Sequence, residues 1–158
     1  VWADSVLTVV GLTTVGRSRT LTVFNDSGAT RTSGDVVIWD TDDTELDLTG
    51  YRYVTTTTSA DSIWVAGVMA DPTCADQTLC EIIVEGWAPT NVTGTLTEDT
   101  LVATSTTAGR MGDYTPAANT CALGRLLENN NLARGSTASA CGAGNFCQMP
   151  VLVDISCQ

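Results

Sequence analysis

The run Ile63-Trp64-Val65-Ala66-Gly67-Val68-Met69, set between the polar cluster ending at Ser62 and the turn residues Asp71-Pro72, decides the fold class. It is too short for a typical buried helix, it carries β-branched residues, and its apolar character does not alternate, which reads as a central strand covered on both faces. Val36 to Trp39 and Ile82 to Val84 repeat the pattern, so three doubly buried strands are expected. In Thr20 to Phe24, Leu21 and Val23 alternate with Thr20 and Thr22, the period of a strand with one face on a core and the other in water. At the far end Val151, Val153, Ile155 and Cys157 share one parity, expected inward, and Leu152, Asp154 and Ser156 share the other. Helical spacing is confined to Leu123, Leu126 and Leu127, interrupted by Gly124 and ended by Asn129 to Asn131, which predicts one turn or a bent strand. Short runs between Gly, Asn, Asp and Thr clusters predict an all-β chain, a single antiparallel β-sandwich or barrel with disulfide-stapled loops. Residues 16–158 are expected to form that domain, with 1–15 as a separate N-terminal strand.

Composition narrows the chemistry. Hydrophobic residues make up 43% of the 158 and charged residues 16%, enough apolar material for a real core. About one residue in six is Thr, a β-branched polar residue suited to exposed strand faces. All seven basic residues are Arg, so Lys and His are both absent. Mechanisms that need a His base or a Lys Schiff base are excluded, and no catalytic residue and no cofactor are assigned. A net charge of −11 opposes phosphate backbones and anionic lipid, so nucleic acid is not an expected partner. No apolar run reaches the roughly 18 residues that span a bilayer, so membrane insertion is not expected.

Six cysteines without His read as disulfides rather than a zinc site. Cys74 with Cys80 and Cys141 with Cys147 have the same short spacing across turn-rich sequence, which suits local bridges and leaves Cys121 for Cys157. This is one of about 15 possible pairings. The start at Val1 reads as a mature product after removal of an export signal, placing the protein outside the cell or on its surface.

Several constellations have a functional and a structural reading. Asp26-Ser27-Gly28-Ala29-Thr30 resembles the catalytic loop of retroviral-type aspartic proteases, but Asn25 replaces the apolar residue expected before the Asp, and a β-turn accounts for the same residues. Asp40, Asp42, Asp43, Glu45 and Asp47 form an oxygen-rich cluster that can hold Ca²⁺, against the alternative of a solvated acidic loop. Asn25-Asp26-Ser27 and Asn91-Val92-Thr93 fit the glycosylation acceptor pattern in what read as surface loops, so glycans are possible. Trp2, Trp39, Trp64 and Trp87 are the aromatic surfaces a sugar would stack on, with Trp39 and Trp64 read as core because they sit in apolar runs. The segment Val6 to Val15 has apolar residues on both parities, Leu7 and Val9 on one and Val6, Val10 and Leu12 on the other, and so wants cover on both faces. It can dock in its own barrel or add to the sheet of a neighbouring copy.

The order of motifs resembles small β-barrel coat and decoration proteins of tailed bacterial viruses. The residues that carry the likeness are Phe24 to Ala29, Gly34 to Val37, Thr55 to Thr58 leading into Val65 to Val68, Val84 to Gly86, Leu101 to Arg110, Leu123 to Glu128 and Val151 to Val153. The resemblance implies a non-enzymatic, self-associating β module. Six cysteines and the processed-looking start depart from proteins assembled in a reducing cytoplasm. The leading expectation is therefore a self-assembling extracellular subunit of a filament or surface layer, a homopolymer joined by β-strand addition. A virion decoration protein and a carbohydrate-binding module are the alternatives.

Overall fold

The computed structural model describes residues 18–41, 50–94, 96, 99–127 and 148–158, and among them nine strands form. They are β1 (Arg19–Asn25), β2 (Val36–Trp39), β3 (Tyr53–Thr55), β4 (Val65–Met69), β5 (Leu79–Asn91), β6 (Leu101–Thr104), β7 (Met111–Asp113), β8 (Cys121–Leu126) and β9 (Gln148–Cys157). The sheet order is β1-β3-β2-β4-β5-β9-β8-β6-β7, and β1 also pairs with β5. The first five strands therefore close into a barrel, and the remaining four extend from the far half of β5.

The expectation of an antiparallel sheet holds for every named pair but one: β1 and β3 run parallel, Phe24 beside Tyr53 and Asn25 beside Val54. A closed ring of five strands cannot alternate direction all the way round, so one pair must be parallel. The second sheet runs antiparallel from β5 through β9, β8 and β6 to β7, then curls until Val92, just past β5, bridges Met111 of β7.

One long strand serves both sheets because it bends. Leu79 to Glu85 of β5 pair with β1, and Glu85 to Asn91 pair with β9. Arg19 is opposite Glu85 but Thr20 is opposite Ile83, which leaves Val84 as the extra residue of a bulge, and Gly86 follows at φ 98°. A bulge and a left-handed glycine in succession turn the strand out of the barrel wall. A second bulge shapes β4: Gly67 pairs with Val37 and Val65 with Ile38, leaving Ala66 unpaired. Val65 and Val68, three apart, then face the second sheet, and Ala66 and Met69 face the barrel interior.

Two cores result. Val23, Val37, Val54, Ala66, Met69 and Ile82 fill the barrel around the Cys74–Cys80 disulfide. The other lies between the outer wall of the barrel (Val36, Val65, Val68, Ile83) and the inner face of the second sheet, where Ala88, Val102, Leu123, Leu126, Met149, Val151 and Val153 are buried. This is why the apolar runs at Val36, Val65 and Ile82 do not alternate: each strand is a wall between two apolar compartments.

Three expectations need correction. Ile63 and Trp64 are exposed, and the buried strand begins at Val65. Leu21 is exposed although Val23, on the same parity, is fully buried, because Leu21 lies on the part of β1 that borders an open hollow. Cys157 is exposed at the end of β9 while its partner Cys121 is buried, so that disulfide spans core to rim. Of the two readings of the Leu123 spacing, the bent strand holds: register with β9 slips between Ala122 and Gly124, and Leu123 and Leu126 reach the same core.

Candidate functional site

The Asn25 to Gly28 stretch that sequence reading marked as chemistry forms part of the architecture at one end of the barrel. Asn25 closes β1 and is completely buried. Its Nδ2 donates to the carbonyls of Ala29 at 3.0 Å, Cys74 at 3.1 Å and Ala75 at 3.1 Å. Its Oδ1 accepts from the Ser27 hydroxyl at 2.7 Å and the Ser27 amide at 3.2 Å. The Asp26-Ser27-Gly28 stretch is a turn with Gly28 at φ 70°, and the amide of Gly28 donates to Asp76 at 2.8 Å. Asp26 accepts from the Gln77 side chain. Both carboxylates thus hold the turn against the disulfide loop, as the β-turn reading expects.

A second polar node joins barrel to sheet. Asn91, also buried, donates from Nδ2 to Asp35 at 2.8 Å, and its backbone amide donates to the Gly34 carbonyl at 2.8 Å. Asp35 accepts from the Thr32 amide at 2.9 Å, and Gln148 donates to the Ser33 carbonyl at 2.8 Å. Neither sequon is therefore a surface loop. The nitrogen a glycan would need is buried and engaged with protein oxygens at Asn25 and at Asn91 alike.

Asp61 stands apart. It sits at φ 53°, its amide donates to the Thr104 carbonyl at 3.0 Å, and its Oδ2 accepts from the Thr115 amide at 3.3 Å. Its Oδ1 is buried and has no hydrogen-bond partner among the described residues. Desolvation raises its pKa above the ordinary 3.8, and the hydrogen bond from Thr115 opposes that shift.

Besides the exposed Trp64 ahead of β4, aromatics mark two places on the surface. Trp39 is half-buried under the Arg52 guanidinium, 5.5 Å from the ring centre. Nearby, Leu21, Thr22, Gly50, Tyr51 and Arg52 line a hollow of about 300 Å³. Trp87 lies elsewhere, on the outer face of the second sheet, where register builds two adjacent rows. The first is Trp87, Leu152, Arg125 and Leu101, each opposite the next. The second brings Pro89 opposite Pro150, with the Leu127 amide donating to the Pro150 carbonyl at 3.0 Å. Trp87 is 42% exposed, Leu152 45%, Leu127 37% and Leu101 36%. Arg125 is paired with Asp99 at 2.9 Å, which neutralises the charge within the patch.

Of the proposed disulfides, Cys74 is joined to Cys80 and Cys121 to Cys157. Cys141, Cys147, the segment with Val6, Leu7, Val9, Val10 and Leu12, Trp2, and the acidic cluster apart from Asp40 lie outside the described residues. Among the described residues no group of three or more metal-ligating side chains comes together. Sequence reading missed the Asp35–Asn91 clamp and the outer-face patch. The alternation of Leu152 with Val151 and Val153 was the available signal for the patch, but strand order was needed to bring Trp87 and Leu101 into its row.

Fold and site together define a disulfide-stapled, all-β barrel module with an appended sheet. No protein-family model matches the chain, and no curated protein matches it. Among solved structures it is similar to the head fiber gp8.5 N base of bacteriophage phi29, with a TM-score of 0.51 and 10% sequence identity, across 87% of this chain and 95% of that one. The likeness to a β-barrel protein of a bacterial virus, read above from short motifs, thus holds at the level of fold.

Proposed function

We propose that this chain is a non-enzymatic structural module of a virion surface, of the decoration or head-fibre type. The observation that carries the reading is the shared architecture over nearly the whole of both chains. The site agrees with it: the buried Asn25 and Asp35–Asn91 groups are spent on holding elements together, and the apolar surface is a broad sheet face, not a catalytic cleft. Immunogold labelling of purified particles from the source of the chain tests this. Label on capsids or their fibres supports it, and label confined to cell-free filaments or the cell envelope overturns it.

That second outcome defines the competing reading, an extracellular filament or surface-layer subunit. It is favoured by the Cys74–Cys80 and Cys121–Cys157 disulfides, since such bridges persist in oxidising surroundings. Secretion and virion assembly are separated by the same labelling.

A further inference from the structure

The two disulfides among the described residues stand in opposite surroundings. Cys74 and Cys80 are 1% and 3% exposed, in the barrel core among Val23, Met69 and Ile82. Cys121 is buried too, but its partner Cys157 is exposed at the end of β9. We propose that the Cys121–Cys157 bridge is a thiol-exchange site, at which a low-molecular-weight thiol becomes joined to Cys157 while the protein stays folded.

The direction of attack follows from burial. A thiolate displaces one sulfur of a disulfide by bonding to the other, so the sulfur it bonds to must be within reach. Here that is the sulfur of exposed Cys157. The S–S bond to Cys121 breaks, a new S–S bond forms between the incoming sulfur and Cys157, and the Cys121 sulfur leaves with the electron pair. It takes up the proton that the incoming thiol gave up on ionising, so one disulfide replaces another and no separate oxidant or reductant is consumed. Cys121 Sγ lies 3.1 Å from the Ile63 carbonyl oxygen. A disulfide sulfur has no proton to offer that oxygen, whereas a thiol does, so the leaving group gains a hydrogen bond in an otherwise apolar site.

The bridge can open because the strand is held without it. Cys157 is opposite Cys121 and Ser156 opposite Ala122 in the β8–β9 ladder. Beyond them the Gln158 amide donates to the Thr120 carbonyl at 3.0 Å, and the Asn119 amide donates to the Gln158 carbonyl at 3.1 Å. These main-chain contacts do not depend on the S–S bond. Cys74 is placed differently. Its amide and carbonyl are both tied to the backbone of Arg31, its carbonyl also accepts from Asn25, and its buried sulfur is reached only when that end of the barrel comes apart. The exchange is local to one rim of the molecule, and holds for a virion module and for a filament subunit alike.

The test treats the folded full-length protein with reduced glutathione, stops the exchange with acid at successive times, labels free thiols with a maleimide after denaturation, and maps each cysteine by mass spectrometry. Glutathione on Cys157 and maleimide on Cys121 are expected, appearing at least about tenfold faster than any opening of Cys74–Cys80. Circular dichroism of the treated protein is expected to match that of the untreated one. The proposal is overturned if Cys157 carries no glutathione, if the adduct forms on Cys121 instead, if Cys74–Cys80 opens as fast, or if the adduct appears only as the native spectrum is lost.

Discussion

Asn25 shows how much one buried amide can organise. It ends β1, donates to three carbonyls from two loops, and itself accepts from Ser27. Asn25→Ala leaves those carbonyls without their donor in a buried setting, and a loss of about 2–4 kcal/mol in urea unfolding is expected. A loss below about 1 kcal/mol would mean that water replaces the amide freely. Asp61 acts in the opposite sense. Its folded-state pKa is raised above 3.8, so the native state binds the proton more tightly than the unfolded chain does. Its unfavourable contribution is absent at pH well below 3.8 and develops as pH rises through the raised value. Asp61→Asn keeps the left-handed backbone acceptable and removes the charge. Its melting temperature should match the parent at acidic pH and exceed it near pH 7, and equal melting curves at both pH values would remove Asp61 as a source of pH dependence.

At the scale of the strand, bulges decide which side chain meets which core. The extra Ala66 in β4 converts an alternating strand into one whose core contacts recur three apart. Gly67 beside it lies so close to the Ile83 carbonyl that a side chain there would collide with the backbone of β5. Gly67→Ala should therefore cost about 2–4 kcal/mol, because a main-chain oxygen cannot step aside as a flexible side chain would. Gly50→Ala meets open space and strains only a φ of 73°, so about 1 kcal/mol is expected there. Chemical denaturation of the pair measures the difference, and equal losses would show that conformation and not contact sets the cost at Gly67. The strands that sequence periodicity located, around Val36, Val65, Ile82 and Val151, are those with long apolar or alternating runs. The bulges escaped it because one inserted residue shifts parity without leaving a mark in composition, and Trp64 was misplaced because an apolar run need not be buried to its end.

At the scale of the whole molecule, the described residues form two compartments sharing a wall. Ile82 belongs to the barrel core and Met149 to the core between barrel and sheet, yet β5 pairs with partners in both. Losing either core removes the support of the shared strand, so unfolding is expected to be a single transition. Ile82→Ala and Met149→Ala should each lower the same melting temperature, by about 2–5 kcal/mol in stability, and two separate calorimetric transitions would show that the compartments unfold independently.

The sequence by itself determined the class of fold, the absence of His- and Lys-dependent chemistry, the net negative charge and the strands around Val23, Val36, Val65, Ile82 and Val151. Those properties follow from residue types and their local period, which depend on no distant partner. Only the tertiary structure decided that the barrel closes with a parallel β1–β3 pair, that both sequon asparagines are buried clamps, and that Trp87, Leu152 and Leu101 form one exposed row. Each of these depends on which strand lies beside which. Strand order is set by packing between residues tens of positions apart, and short runs of sequence do not carry it.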